Sequence, residues 1–355
     1  MTPSVSTTAL APPPVEVPLE QPTDDATRRS FLTLAGSLVL LAACGDDSSG
    51  GSDEAGSAPS TRTVETSHGP VKIPTAPERV VAMHDQLVAY SIASLGFDDL
   101  VGVAARDAGD PAAAVEQLGD VPDGFKSLSD VGTYAEPNLE AIAGLNPDLI
   151  IGLPYEVDPI YKQLSKIAPT VVIEVPLGRN RPEFDLQRQL AAVVGVEDEL
   201  DERLEDYEAR LAAVRSELDG ALEGAAYTSI ETYGAGPDDS YVIRSDYAPG
   251  LQVLEDLGMV PSTTTTGLKE EYTAVSPESM ADFDADVIVL QVPEGGEVDP
   301  AITRLLGTTT AGQAGQIVTV SRDIWSVEVV EARFRALQDV VRLFGEADVE
   351  VSGDF

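Results

Sequence analysis

A small set of residues in this chain has the means to grip an oxygen-rich or charged ligand. Basic side chains are scarce, 22 Lys and Arg against 61 Asp and Glu, so arginines placed just after apolar runs carry information. His84 and Asp85 follow the run 79–83, Arg106 follows 100–104, and Tyr134 lies ahead of a short helical stretch. Tyr155 follows 148–153, and Arg179, Asn180 and Arg181 follow 171–175. Later runs supply Tyr233, Arg244 and Tyr247, and the last is followed by Arg322 and Trp325. Guanidinium forks pair with carboxylate and other electron-rich oxygens, and aromatic rings cover apolar ligand backbone. Ligands of parallel α/β sheets sit outside the carboxyl ends of the strands, which selects these positions. Plainer roles compete: Arg179 and Arg181 also suit pairing with Glu183 and Asp185, and Trp325 suits a core.

Catalysis finds less support. There is no G-x-S-x-G, no H-E-x-x-H and no phosphate loop, and the chain has two histidines and one cysteine. No enzyme, no cofactor and no protein-held metal are expected. The net charge of −39 is spread along the chain and argues against nucleic acid, which needs a basic face.

The elements that must position these residues read as alternating strands and helices. The runs 79–83, 100–104, 148–153 and 171–175, with helical stretches at 137–145, 161–168 and 182–194, predict a parallel sheet covered by helices. Beyond residue 220 the pattern resumes with strands near 227–232, 241–243, 286–292 and 317–320, and helices near 251–257, 277–283 and 329–344. Between the halves, Leu200, Leu204, Tyr207, Leu211, Val214 and Leu218 lie on one helical stripe. A helix over 197–219 would be roughly 34 Å long at a rise of about 1.5 Å per residue. It reads as a strut joining two similar lobes. Glu140 lies eight residues before Asp148 in the first half, and Glu278 eight before Asp286 in the second.

The first 44 residues read as an address. Arg28 and Arg29 precede an apolar run at 34–41, and Leu41-Ala42-Ala43-Cys44 follows. This resembles a twin-arginine export signal ending in a lipobox, which makes Cys44 the lipidated residue. The run of about ten residues is short of the roughly 20 that a membrane span needs. The expected organisation is a signal with an N-terminal extension at 1–44, a flexible tether at 45–61, an N-terminal lobe at 62–195, the linking helix at 196–220, and a C-terminal lobe at 221–355.

Several motifs carry a family resemblance. Pro77-Glu78-Arg79-Val80-Val81, Val131-Gly132, Pro137-Asn138-Leu139-Glu140, Asn146-Pro147-Asp148-Leu149-Ile150-Ile151 and Val275-Ser276-Pro277-Glu278 resemble siderophore-binding proteins of bacterial ABC importers. The resemblance covers about residues 64–345, more loosely in the second half. It implies two Rossmann-like α/β lobes with mostly parallel sheets, joined by one long helix, with the ligand in the cleft between them. It also implies capture of a ferric siderophore by a monomer anchored through lipid on the outer face of the membrane. Delivery would be to a permease dimer, whose arginines Glu140 and Glu278 would meet, one from each lobe. For those glutamates the plainer role is to complement the dipole of a helix start. Haem or vitamin B12 is the alternative ligand, with Met83 or His84 as an axial haem ligand, and a surface lipoprotein without transport is the alternative role.

Overall fold

Residues 60–74 form an antiparallel hairpin of β1 (Thr61–Thr66) and β2 (Gly69–Pro74), a feature that the sequence pattern did not predict. It is fastened by Arg62, whose guanidinium donates to the Val193 carbonyl at 2.7 Å. The computed structural model describes residues 60–106, 112–113, 115–116, 118–174, 183–233, 240–244, 248–268, 272–293 and 296–345. Arg28, Arg29, Cys44, Arg179, Arg181 and Tyr247 lie outside the described residues.

The first lobe is built on β3 (Val80–Ala82), β4 (Leu100–Ala105), β5 (Ser129–Thr133), β6 (Leu149–Gly152) and β7 (Thr170–Val172), in the order β5-β4-β3-β6-β7. Every pairing in this sheet is parallel. Each residue of β3, β6 and β7 is buried, as expected of strands covered on both faces. β5 is not apparent from the sequence, because Ser129 and Asp130 interrupt its apolar pattern.

The second lobe holds β8 (Ala226–Tyr233), β9 (Ser240–Arg244), β10 (Val260–Pro261), β11 (Tyr272–Val275), β12 (Val287–Val292) and β13 (Ile317–Ser321). Its order is β11-β9-β8-β12-β13, with β10 also paired to β8. β8, β12 and β13 are parallel, but β9 and β11 run antiparallel at one edge. This half of the sheet therefore departs from a purely parallel design.

Between the lobes lies the Glu197–Glu217 helix, as its apolar stripe requires. Leu200, Leu204, Tyr207 and Val214 are buried on it, the three aliphatic side chains each contributing about 1.5–3 kcal/mol of apolar transfer. The largest buried cluster is continuous from β3 through this helix to the Val330–Phe344 helix. Smaller clusters cover the opposite faces of the two sheets. Arg333 is fully buried beside the linking helix, its guanidinium 4.3 Å from the Phe184 ring and 3.6 Å from Asp256.

The two lobes repeat one local device. Asp148 accepts hydrogen bonds from the Glu78 and Arg79 amides at 2.8 and 3.0 Å. Asp286 accepts one from the Ala226 amide at 2.8 Å. In each lobe the aspartate that opens a buried strand holds the start of the neighbouring parallel strand.

Candidate functional site

At the end of β3 the chain enters a π-helical segment, Asp85–Tyr90, with the Ala89 amide donating to the His84 carbonyl. Such widened turns often mark functional positions. His84 caps it: its Nδ1 accepts from the Leu87 amide at 3.2 Å. That places the neutral ring's proton on Nε2, which faces Glu156 Oε1 at 3.8 Å. Burial lowers the His84 pKa despite the neighbouring Asp85 carboxylate.

Asp85 organises the first lobe's wall. Its carboxylate accepts from the Tyr134 hydroxyl, the Gln86 amide at 2.7 Å and the Arg106 amide at 2.9 Å. Burial alone would raise this carboxyl, but its hydrogen bonds with His84, Tyr134 and Arg106 hold it below its ordinary value. Tyr134 reaches this position because the chain turns sharply at Gly132, which has φ of +97°. A Cβ there would lie 2.5 Å from the Glu136 carbonyl oxygen, so only glycine fits.

Glu156 is buried under the same wall. Its Oε2 accepts from the Leu153 amide at 3.1 Å, while Oε1 has no hydrogen-bond partner among the described residues. Burial pushes its carboxyl up to about 8. Tyr155 beside it is 62% exposed.

From Arg106 a chain of contacts crosses to the second lobe. Arg106 Nη2 donates to Gln86 Oε1 at 2.6 Å, and Nη1 meets Asp323 at 3.4 Å. Asp323 also meets Arg322 at 3.4 Å. Arg322 donates to the Thr232 carbonyl at 2.8 Å and lies 4.7 Å over the Tyr233 ring. The Tyr233 hydroxyl donates to Glu231 at 2.6 Å, and Glu231 pairs with Arg244 at 2.9 Å. Arg244 in turn lies 4.4 Å over the Tyr272 ring.

The structure thus joins His84, Arg106 and Tyr134 in one wall, and Tyr233, Arg244 and Arg322 in the other. It removes Trp325 from the candidate cleft set. That ring is fully buried, packs on Gly250, where a Cβ would lie 2.6 Å away, and donates to Asp339 at 2.9 Å. It belongs to the core. Met83 is likewise buried and His84 is enclosed, so neither presents an open axial position.

Gln86, Glu156, Glu231, Asp323 and Tyr272 were not among the residues that sequence reasoning selects. Only Glu231 left a signal, as an acid inside a predicted strand, which calls for a buried partner. Glu140 and Glu278 are exposed in the first turns of Leu139–Gly144 and Pro277–Phe283. Two cavities, of about 300 and 350 Å³, flank the linking helix, and neither is lined by the residues of these walls.

A family model described as periplasmic binding protein matches residues 87–323. Over 258 residues the chain is 31% identical to a probable siderophore-binding lipoprotein of Bacillus subtilis, spanning 71% of this chain and 74% of that one. An iron(3+)-hydroxamate-binding protein of the same organism is 31% identical over 265 residues, with 71% and 76% covered. The fold is similar to that of a Staphylococcus aureus protein solved with bound ferrioxamine B, at a TM-score of 0.61 and 21% identity, covering 76% of this chain and 99% of that one.

Proposed function

Because the chain belongs to the periplasmic binding protein family, we propose that it is the extracytoplasmic receptor that captures a ferric siderophore and hands it to an ABC permease for iron uptake. It is a binding protein, not an enzyme. The observation that carries this reading is the run of contacts from Asp85 of one lobe, through Arg106, Asp323, Arg322 and the Tyr233 ring, to Glu231 and Arg244 of the other. A ligand between the lobes would touch both walls at once. The named ligands of the relatives, siderophore and iron(3+)-hydroxamate, support the choice of ligand.

The enclosure of Met83 and His84 weighs against haem, which needs an accessible axial ligand. Protein isolated from an iron-limited culture is expected to show a broad visible charge-transfer band. A Soret band instead would replace the siderophore reading with haem. Titration should follow that band or heat, because Trp325 sits in the core.

Delivery rests on exposed Glu140 and Glu278, one per lobe, as contacts for a permease dimer. Anchoring rests on Cys44, reached through the Arg28-Arg29 export signal. Cys44→Ala is expected to release protein that still binds ligand. Retention of that variant at the membrane would refute the lipid anchor.

A further inference from the structure

We infer that this cleft selects ferric chelates that are neutral or positively charged, the hydroxamate type, over polyanionic catecholate and citrate chelates. The inference rests on the receptor reading above and concerns the charge of the ligand it takes.

Arginines at strand ends suggest an anion trap, but the geometry has already committed them. Arg106 and Arg322 both lie 3.4 Å from Asp323, and Arg244 lies 2.9 Å from Glu231. The first wall adds Asp85 and Glu156, which are hydrogen-bonded by neutral donors. Among the described residues the two walls therefore bring three guanidinium groups against three ionised carboxylates, Asp85, Glu231 and Asp323, while burial keeps the fourth carboxyl, Glu156, protonated at neutral pH. A triply anionic chelate would have to take a guanidinium from its carboxylate and leave that carboxylate without its partner. A chelate bearing an ammonium group meets no such conflict, and one with neutral hydroxamate oxygens can still share guanidinium protons. The exposed ring of Tyr155, at 62%, offers a face for hydrocarbon spacers and for a cation.

Calorimetry on the full receptor should compare ferrioxamine B, which carries a free ammonium group, neutral ferrichrome, ferric enterobactin and ferric citrate. Ferrioxamine B and ferrichrome are expected to bind at least about tenfold more tightly than either anionic chelate. Asp323→Asn frees two guanidinium groups and is expected to narrow that ratio by about tenfold or more, in favour of the anions. Glu231→Gln, which frees Arg244, is the second variant, and thermal melts establish which of the two is folded. Equal or tighter binding of the anionic chelates by the unaltered protein would overturn the inference. So would an unchanged ratio in the folded variants, or anionic binding that disappears in Arg179→Ala with Arg181→Ala. If none of the four chelates binds, the receptor reading itself fails.

Discussion

Arg106 and Asp323 meet between the two lobes at 3.4 Å, the only ion pair among the described residues that joins the β4 end directly to the segment after β13. Each is held by its own lobe: Arg106 by Gln86 and Asp323 by Arg322. Because Arg106 is 41% exposed, solvent screens the pair, and its coupling is expected to be about 0.2–1 kcal/mol. A double-mutant cycle of Arg106→Gln and Asp323→Asn, read by denaturant unfolding, checks this. Coupling of several kcal/mol would mean that the pair holds the lobes together instead of orienting groups for ligand.

Glu156 makes stability depend on pH. Its folded pKa, up to about 8, lies above the ordinary 4.5 because of burial. The folded form therefore binds the proton more tightly than the unfolded chain. This contribution is fully present below about pH 4.5 and is lost as pH rises through 8. Each pH unit between those two values is worth about 1.4 kcal/mol, so the contribution amounts to a few kcal/mol. Thermal melts between pH 5 and 9 should fall more steeply for the unaltered protein than for Glu156→Gln. Parallel curves would show that the carboxyl is ionised in the folded state throughout.

Trp325 is expected to matter for stability and not for ligand affinity. Gly250→Ala sets a methyl group 2.6 Å from its ring and should destabilise by about 1–3 kcal/mol through overpacking. Trp325→Phe loses the hydrogen bond to Asp339 and leaves a gap. Both variants should keep the dissociation constant for a ferric chelate unchanged in calorimetry; a large loss of affinity would put the ring's effect in the cleft.

Glu140→Arg and Glu278→Arg test delivery apart from binding. Both side chains are exposed, so reversal should leave ligand affinity unaltered while it cuts iron uptake sharply, most of all in the double variant. If these acids meet arginines of the permease as proposed, charge reversal adds repulsion, which alanine does not. Uptake that survives both reversals would leave the glutamates with only a role at the helix start.

Much of the architecture was legible because it is written in local periodicity. The stripe from Leu200 to Val214 specifies the linking helix without reference to any other residue, since its spacing alone puts these side chains on one face. The wholly apolar runs of β3 and β6 specify buried parallel strands for the same reason. The paired glutamates and strand-opening aspartates gave away the two lobes. What local pattern cannot encode is which distant group a side chain meets. Arg106 and Asp323 are 217 residues apart, and Glu231 and Ser326 are 95 apart. Only the packed fold could turn a set of strand-end arginines into charge-balanced pairs. The fate of Trp325 is of the same kind. Its position after a strand suggested a ligand contact, but Gly250 and Asp339, brought to it by two other helices, enclose the ring in the core. The antiparallel edge of the second sheet also depended on the pairing of β9 with β8 and β11, and β9 and β11 are strands too short for their direction to be read from sequence. Strand direction and side-chain partners follow from the global chain path, and that path is fixed by the whole core at once.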